Sequence, residues 1–399
     1  MSTEEMITAT KPAILGSRAT FESTLRLVIP DLPSYSSMQS EFSDIVDSGV
    51  LTKGRHLQQF EKSAAKHCGS NFAVGVSSCT TGLVLAHKAL ELHGEVILPS
   101  FTFLASALGC AWNNTVPVFV DIDADDWTIN PKAVEAAIMS KTTGIVATHV
   151  FGNPCQIDQL EEIAKRHGIK LIFDAAHGFG ALYQGKALGS RGDLEVFSLS
   201  PTKLVIAGEG GMITFNDEKL RDKLQVLREY GNDGQYDLID SGLNARMPEI
   251  NALLGNEGLK RLEGVVERRT KVATDVIEHL KNVPGIKWQQ VRSGNRSSLK
   301  DLAMLVEEKT FGMSRDMLAK TLAAENIETR NYYDPPCHRQ SYWQERCRVN
   351  GTLTVTEQLS NGALTIPLHS KMTDQDVAQL AGAITAAHKY ASEIRKAIG

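Results

Sequence analysis

No apolar run in the chain approaches the roughly 20 residues that cross a bilayer, so no membrane partner is expected. There is no excess of positive charge: 42 Lys and Arg face 47 Asp and Glu, a formal net charge of −5. A nucleic-acid surface, which needs a basic field, is therefore not expected. The stretch MSTEEMITATKPAILGSRAT carries early acids and lacks the basic-then-apolar order of a secretion signal. Six cysteines (Cys68, Cys79, Cys110, Cys155, Cys337 and Cys347) form no CxxC pair, so no metal site is expected. Scattered over 399 residues, they fit reduced thiols in a cytoplasmic protein better than a disulfide framework. There is no internal repeat and no low-complexity tract.

What is present is an ordinary globular balance, 42% hydrophobic and 22% charged, in a chain long enough for two domains. Between residues 70 and 215, seven short apolar runs interleave with helical patterns. FAVGVSS, EVILPS, VPVFVDI, GIVATHV, KLIFDAA, LEVFSLS and GMITF read as strands. TGLVLAHKALEL, PKAVEAAIMSK and QIDQLEEIAKRHG read as helices, with apolar residues at three- and four-residue steps. Such alternation predicts an α/β fold with a mostly parallel sheet covered on both faces. Ligands then sit beyond the carboxyl ends of the strands. From about residue 217 the character changes. INALLGNEGLKRLEGVVERRTKVATDVIEHLK reads as one long helix or two, bridging to a smaller α+β unit. The expected division is an N-terminal segment 1–45 packing on the small domain, a large domain 46–260 and a small domain 261–399.

Four features at strand ends carry chemistry. Asp174 ends KLIFDAAH, where an aspartate serves equally as a helix cap. LEVFSLSPTK brings Ser198 and Lys203 to the same rim. SSCTTG opens a helix, so its free N–H groups and the hydroxyls of Thr80 and Thr81 suit a phosphate or a plain N-cap. PSFTF places Phe103 either over a planar ligand or in the core. A lysine, an acid, a phosphate cradle and a flat aromatic surface together match pyridoxal 5′-phosphate. The acid keeps the ring nitrogen positive. Apolar surroundings and a nearby cation lower the lysine's pKa, so that its amine is available as a nucleophile.

The chain resembles the DegT/DnrJ/EryC1/StrS family of nucleotide-sugar aminotransferases. The similarity is carried by GVLTKGRHLQQFE, VSSCTTGLVLA, VILPSFTFLASA, HVFGNPCQID, DAAHGFGALYQGKALGSRGDLEVFSLSPTK, GEGGMI, GLNARMPEINALLG and IETRNYYDPPCHRQ, in matching order. It implies a PLP-dependent transferase of fold type I, with a seven-stranded large-domain sheet. It implies Lys203 as the Schiff-base lysine and Asp174 as the partner of the pyridine nitrogen. It implies His177 beside the ring near its phenolic oxygen, Phe103 stacked on the ring, and Thr80, Thr81 and Ser198 on the phosphate. Asn244, or alternatively Arg246, would reach the cofactor phosphate of a second subunit, so a homodimer with shared sites is implied. Dehydratase-like relatives carry histidine where Lys203 stands, so Lys203 implies amino transfer. Cys79 stands where glycine or alanine is usual, and the turn after Lys203 is more apolar than in relatives. The implied donor is L-glutamate. The implied acceptor is a nucleotide-linked keto-sugar, first a dTDP-4-keto-6-deoxyhexose, with a 3-keto sugar or a keto-cyclitol as alternatives. A non-catalytic cofactor- or sugar-binding homologue is the other class of reading. Tyr332, Tyr333 and His338 are candidates for the sugar or nucleotide end.

Overall fold

The computed structural model describes residues 10–398; residues 1–9 and 399, including the start of the expected N-terminal segment, lie outside the described residues. The first five strands are β1 (Phe72–Val76), β2 (Glu95–Pro99), β3 (Val116–Val120), β4 (Thr142–Thr148) and β5 (Lys170–Asp174). A small hairpin, β6 (Leu182–Tyr183) and β7 (Lys186–Ala187), precedes β8 (Leu194–Ser198) and β9 (Gly211–Phe215). Then come β10 (Ile286–Trp288), β11 (Leu302–Val306), β12 (Arg348–Val349) and β13 (Ala363–Ile366). The large sheet runs β1-β9-β8-β5-β4-β2-β3-β12. Its pairings are parallel except where β9 lies antiparallel to β1 and β8. The seven expected strands are all in it. The eighth, β12, joins the edge from far along the chain, through a two-residue pairing too short to stand out in sequence.

The strands are continuous apolar runs because both faces of the sheet are covered. The helices before the switch to the second unit are α1 (Gln39–Ser48), α2 (Arg55–Cys68), α3 (Cys79–Ala89), α4 (Ala105–Trp112), α5 (Pro131–Ala137), α6 (Ile157–His167) and α7 (Glu218–Arg228). On one face Leu57 and Phe60 of α2, Val134 of α5 and Leu160 of α6 pack with Ile97, Ile145 and Phe173. On the other, Leu83 of α3, Cys110 of α4 and Leu224 of α7 meet Leu98, Val146 and Ile172.

The segment that reads as one helix or two is a single 32-residue helix, α8 (Glu249–Leu280). Its first half seats on α2 at Gly255, where a Cβ would stand 2.5 Å from the Phe60 ring. Its Leu262, Val265 and Val266 belong to the large core, and its Val272, Ala273 and Val276 to a second core. A domain boundary at 260–261 therefore falls inside a continuous helix shared by both. The second core lies around β10-β11-β13 with α9 (Glu308–Phe311), α10 (Arg315–Ala324), α11 (Thr354–Gly362), α12 (Asp374–Lys389) and α13 (Ala391–Ile398). Phe21 and Leu25 of the N-terminal segment enter this second core, and the Ala13 N–H and Thr20 hydroxyl donate to the Glu325 carboxylate at 2.7 and 2.8 Å. Further along, Met38 and Ile45 pack instead on Leu253 of α8. Among the described residues no helix is long and apolar enough to cross a membrane.

Candidate active site

The carboxyl ends of β1, β2, β4, β5 and β8 open on one cavity of about 360 Å³. β1 delivers Ser78, Cys79 and Thr80; β2 delivers Thr102 and Phe103; β4, β5 and β8 end at Thr148, Asp174 and Ser198. Lys203 enters from the turn after β8, and Lys300, Asp301, Tyr332 and Tyr333 close the cavity from the second unit.

Asp174 is 3% exposed, and its position is set from two sides. Its Oδ2 accepts from the Ser106 hydroxyl at 2.6 Å and its Oδ1 from the Ala176 N–H at 3.1 Å. Burial pushes the carboxyl above its ordinary value, while the Ser106 and Ala176 hydrogen bonds, which favour the charged form, pull it back. An aspartate serving only as a helix cap would not be aimed into a cavity.

Lys203 makes no ion pair with any described residue, although Lys300 beside it does. Burial first, and then repulsion from Lys300, lower its ammonium from 10.5 to about 8 against the opposing pull of Asp301. The amine is thus held in the range where its nucleophilic form is populated. His177 accepts the Phe151 N–H at its Nδ1, at 3.1 Å. The neutral ring therefore carries its proton on Nε2. Burial, with Lys203 and Lys300 nearby, holds this histidine well below its usual range, so it remains neutral.

The hydroxyl-rich turn divides its labour. Thr81 does not line the cavity. Its Oγ1 accepts the Ser78 N–H at 3.0 Å, while Ser78 Oγ accepts the Thr81 N–H at 3.1 Å, closing a reciprocal cap on α3. Thr80 and Ser198 do line the cavity. The N–H groups of Cys79 and Thr80 lie in the first turn of α3, where a helix offers them no acceptor of its own. Phe103 is 51% exposed at the cavity wall; the core phenylalanine of PSFTF is Phe101, fully buried.

Asn244 and Arg246 are not in the cavity of their own chain. Asn244 is exposed, and Arg246 lies 3.5 Å from Glu229 and over the Tyr230 ring. Of the three downstream candidates, Tyr332 and Tyr333 reach the cavity. Tyr333 stacks on Phe151 at 5.6 Å. His338 does not reach it: one ring nitrogen lies 2.7 Å from Ser100 Oγ and the other 2.9 Å from Glu357. Sequence reasoning missed Ser106, Lys300 and Asp301. A charged dipeptide before the apolar run LAMLV reads as a solvated strand end, and nothing local marks it as buried.

Residues 35–385 match the DegT/DnrJ/EryC1/StrS aminotransferase family. The chain belongs to that family. It is a sugar aminotransferase dependent on pyridoxal phosphate. A relative from Aneurinibacillus thermoaerophilus, dTDP-3-amino-3,6-dideoxy-α-D-galactopyranose transaminase, is 32% identical over 87% of this chain and 94% of its own. The dTDP-4-amino-4,6-dideoxy-D-glucose transaminase of Escherichia coli is 28% identical over 90% and 97%. The crystal structure of DesI with its TDP-sugar product superposes with a TM-score of 0.91 at 32% identity, covering 97% of this chain and 98% of that one. These similarities agree with the type I transferase fold expected from sequence.

Proposed function

We propose that the enzyme transfers the amino group of L-glutamate to the keto group of a nucleotide-linked deoxysugar, a dTDP-4-keto-6-deoxyhexose, giving an amino sugar and 2-oxoglutarate. The observation that carries this reading is the shared cavity of an amine poised near neutrality, Lys203, and a buried, doubly hydrogen-bonded carboxylate, Asp174. The relatives' names supply the dTDP-sugar class.

The donor set fits pyridoxal phosphate. Unpaired first-turn N–H groups with Thr80 and Ser198 suit its phosphate, Asp174 its ring nitrogen, Phe103 its face and the His177 Nε2–H its phenolic oxygen. Thr81 supports that cradle by holding its turn rather than by touching the phosphate. When bound, the cofactor supplies an aldehyde that takes up and releases the amino group and a ring that delocalises the electron pair left on the substrate carbon. Lys203 Nζ would hold that aldehyde, and as a free amine the same Nζ would take the proton from the donor's α-carbon and, in the second half, return one to the sugar carbon. Proton transfer by a positioned group contributes about 10²–10⁴-fold. Neutral His177 would add no second positive charge beside the ring, and Asp174 would answer the charge on the ring nitrogen.

We also infer a homodimer. Tyr236, Leu238 and Ile239 stand 98%, 69% and 58% exposed on the loop leading to Asn244, an apolar surface that asks for a partner. A second copy laid on it would offer its Asn244 to this cavity. A 3-keto acceptor is the second reading, favoured by the Aneurinibacillus relative.

The test is incubation with L-glutamate and dTDP-linked 4-keto and 3-keto sugars. Amino sugar and 2-oxoglutarate should form in equal amounts, with the carbon fixed by NMR. Failure of every keto-sugar to release 2-oxoglutarate would overturn the acceptor. Mixed dimers of Lys203→Ala and Asn244→Ala chains should regain activity that neither homodimer has; absence of that rescue would remove the shared site.

A further inference from the structure

The cavity contains a charged pair that acts on Lys203 but to which the reaction above gives no substrate contact. Lys300 Nζ lies 2.8 and 3.0 Å from the two carboxylate oxygens of Asp301, and the residues are only 4% and 5% exposed. The pair is held from behind. Arg269 of α8, itself buried, donates to the carbonyls of Leu299 and Lys300 at 2.9 and 2.6 Å. The Lys300 N–H donates to the Phe151 carbonyl, and the Ser298 N–H to that of Gly152. Gly152 has a φ of +93°, and a Cβ there would stand 2.0 Å from Ser298 Oγ. The backbone around the pair is thus clamped against the loop that also positions His177.

Two ligands must use this cavity in turn. The donor brings carboxylates; the acceptor brings ring hydroxyls. Among the described residues lining the cavity, Lys300 is the one lysine or arginine besides Lys203, and Asp301 already neutralises it. A carboxylate approaching Lys300 would meet the Asp301 charge at the same place. Drawing the ammonium away would leave Asp301 buried and unpaired, a costly state. A hydroxyl faces no such conflict. The ammonium has three N–H groups, of which Asp301 occupies two. The carboxylate has about four lone-pair sites, of which Lys300 occupies two. No other side-chain hydrogen bond reaches either group among the described residues. One donor and one or more acceptor sites stay open, the complement of an alcohol, which donates and accepts.

We propose that the Lys300–Asp301 pair is a specificity determinant that reads a ring hydroxyl of the sugar acceptor and plays no part in holding the donor's carboxylates. The inference rests on the sugar-acceptor reading above. It places the hydroxyl beside Tyr332 and Tyr333, on the side of the cavity that the second unit supplies.

The test uses the holoenzyme and titration calorimetry with two probes, a dTDP-linked 4-amino-4,6-dideoxyhexose and dTDP alone. The variant K300M/D301L replaces the pair with apolar side chains of similar size, an exchange that buried ion pairs commonly tolerate. It should bind the amino sugar at least about a hundredfold more weakly, the loss expected for one donated and one accepted bond to charged groups. Its affinity for dTDP should fall far less. The neutral hydrogen-bonding variant K300Q/D301N should recover at least about tenfold of the loss, because a hydroxyl still finds a donor and an acceptor there. The first half-reaction with L-glutamate, followed by the bleaching of visible absorption, should slow by much less than the sugar affinity falls. An equal or larger loss in the glutamate step, or no recovery in K300Q/D301N, would assign the pair to a carboxylate and overturn the proposal. Undiminished amino-sugar binding in K300M/D301L would overturn it alone, whereas a wild-type enzyme that binds no amino sugar would overturn the acceptor reading with it. If K300M/D301L does not fold, wild-type enzyme with analogues each lacking one ring hydroxyl decides the matter: one analogue must lose about a hundredfold or more, and equal binding of all overturns the assignment.

Discussion

Lys203 should lose its proton near pH 8, more than two units below an ordinary lysine. Two causes act together. The side chain is largely withdrawn from water at the cavity floor, which disfavours the charged form, and Lys300 places a second cation in the same cavity; Asp301, Cys79 and Asp174 oppose them. With the ammonium lowered from 10.5 to about 8, roughly a quarter of the enzyme holds a neutral amine at about pH 7.5, against about one part in a thousand for an unperturbed lysine. That is on the order of a two-hundredfold gain in the reactive form. The assay is stopped-flow capture of pyridoxal phosphate by cofactor-free protein across the neutral and alkaline range, with borohydride reduction and peptide mapping to identify the labelled amine. The capture rate should rise with pH through a midpoint near 8 and then level off. Lys300→Met removes the repelling cation and leaves Asp301, which favours the charged form, so its midpoint should move upward. A wild-type midpoint near 10, an unmoved midpoint in Lys300→Met, or a label elsewhere than residue 203 would refute the reasoning.

Asp174→Asn keeps an acceptor for the Ala176 N–H, and its amide can donate to the Ser106 hydroxyl instead, but it removes the charge, so turnover should fall about 10²–10³-fold, as when a preorganised electrostatic partner is lost; steady-state kinetics near wild-type would place another acid at the ring nitrogen. Glu249, 1% exposed at the start of α8, accepts the N–H groups of Gly54, His56 and Leu57 at 2.9, 2.8 and 3.1 Å and so closes the N-terminus of α2 from a distance. Glu249→Ala should cost about 3 kcal/mol in chemical denaturation, because one buried and two part-buried donors lose their acceptor at once; a change below about 1 kcal/mol would contradict that bonding. His87 is fully buried with neither ring nitrogen hydrogen-bonded among the described residues, and burial lowers it from 6.5 to about 4. The fold excludes the proton that the unfolded chain accepts, so this stability is complete above pH 6.5 and drains away as pH falls toward 4. At about pH 5 the loss amounts to roughly 2 kcal/mol. In His87→Leu that part of the acid dependence should vanish from urea titrations, and an unchanged pH slope would show that His87 is not its source.

The strands were legible because each is a short apolar run bounded by turn residues, a pattern that burial on both faces imposes on every strand of such a sheet. Asp174, Ser198 and Lys203 were legible for the same reason: a polar residue at the carboxyl end of a parallel strand faces the one place where ligands gather. The edge strand at Arg348–Val349 was not, since two residues carry no period. Thr81 could not be parted from Thr80 either. Both are hydroxyls in the first turn of a helix, and only the reciprocal bonds with Ser78 show which one caps and which one faces outward.

By itself, then, the order of residues determined the strand–helix alternation, the rim on which the amine and the carboxylate stand, and the family to which the chain belongs. Those are matters of local period and of spacing along one chain. Folding alone decided that Ser106 orients Asp174, that Phe103 is bare while Phe101 is buried, that His338 is spent on Ser100 and Glu357, and that Lys300 and Asp301 come to lie beside Lys203. Each of these depends on what a side chain meets from a distant part of the chain, and burial, which sets the cost of a charge and the pKa of an amine, exists only once those parts have packed.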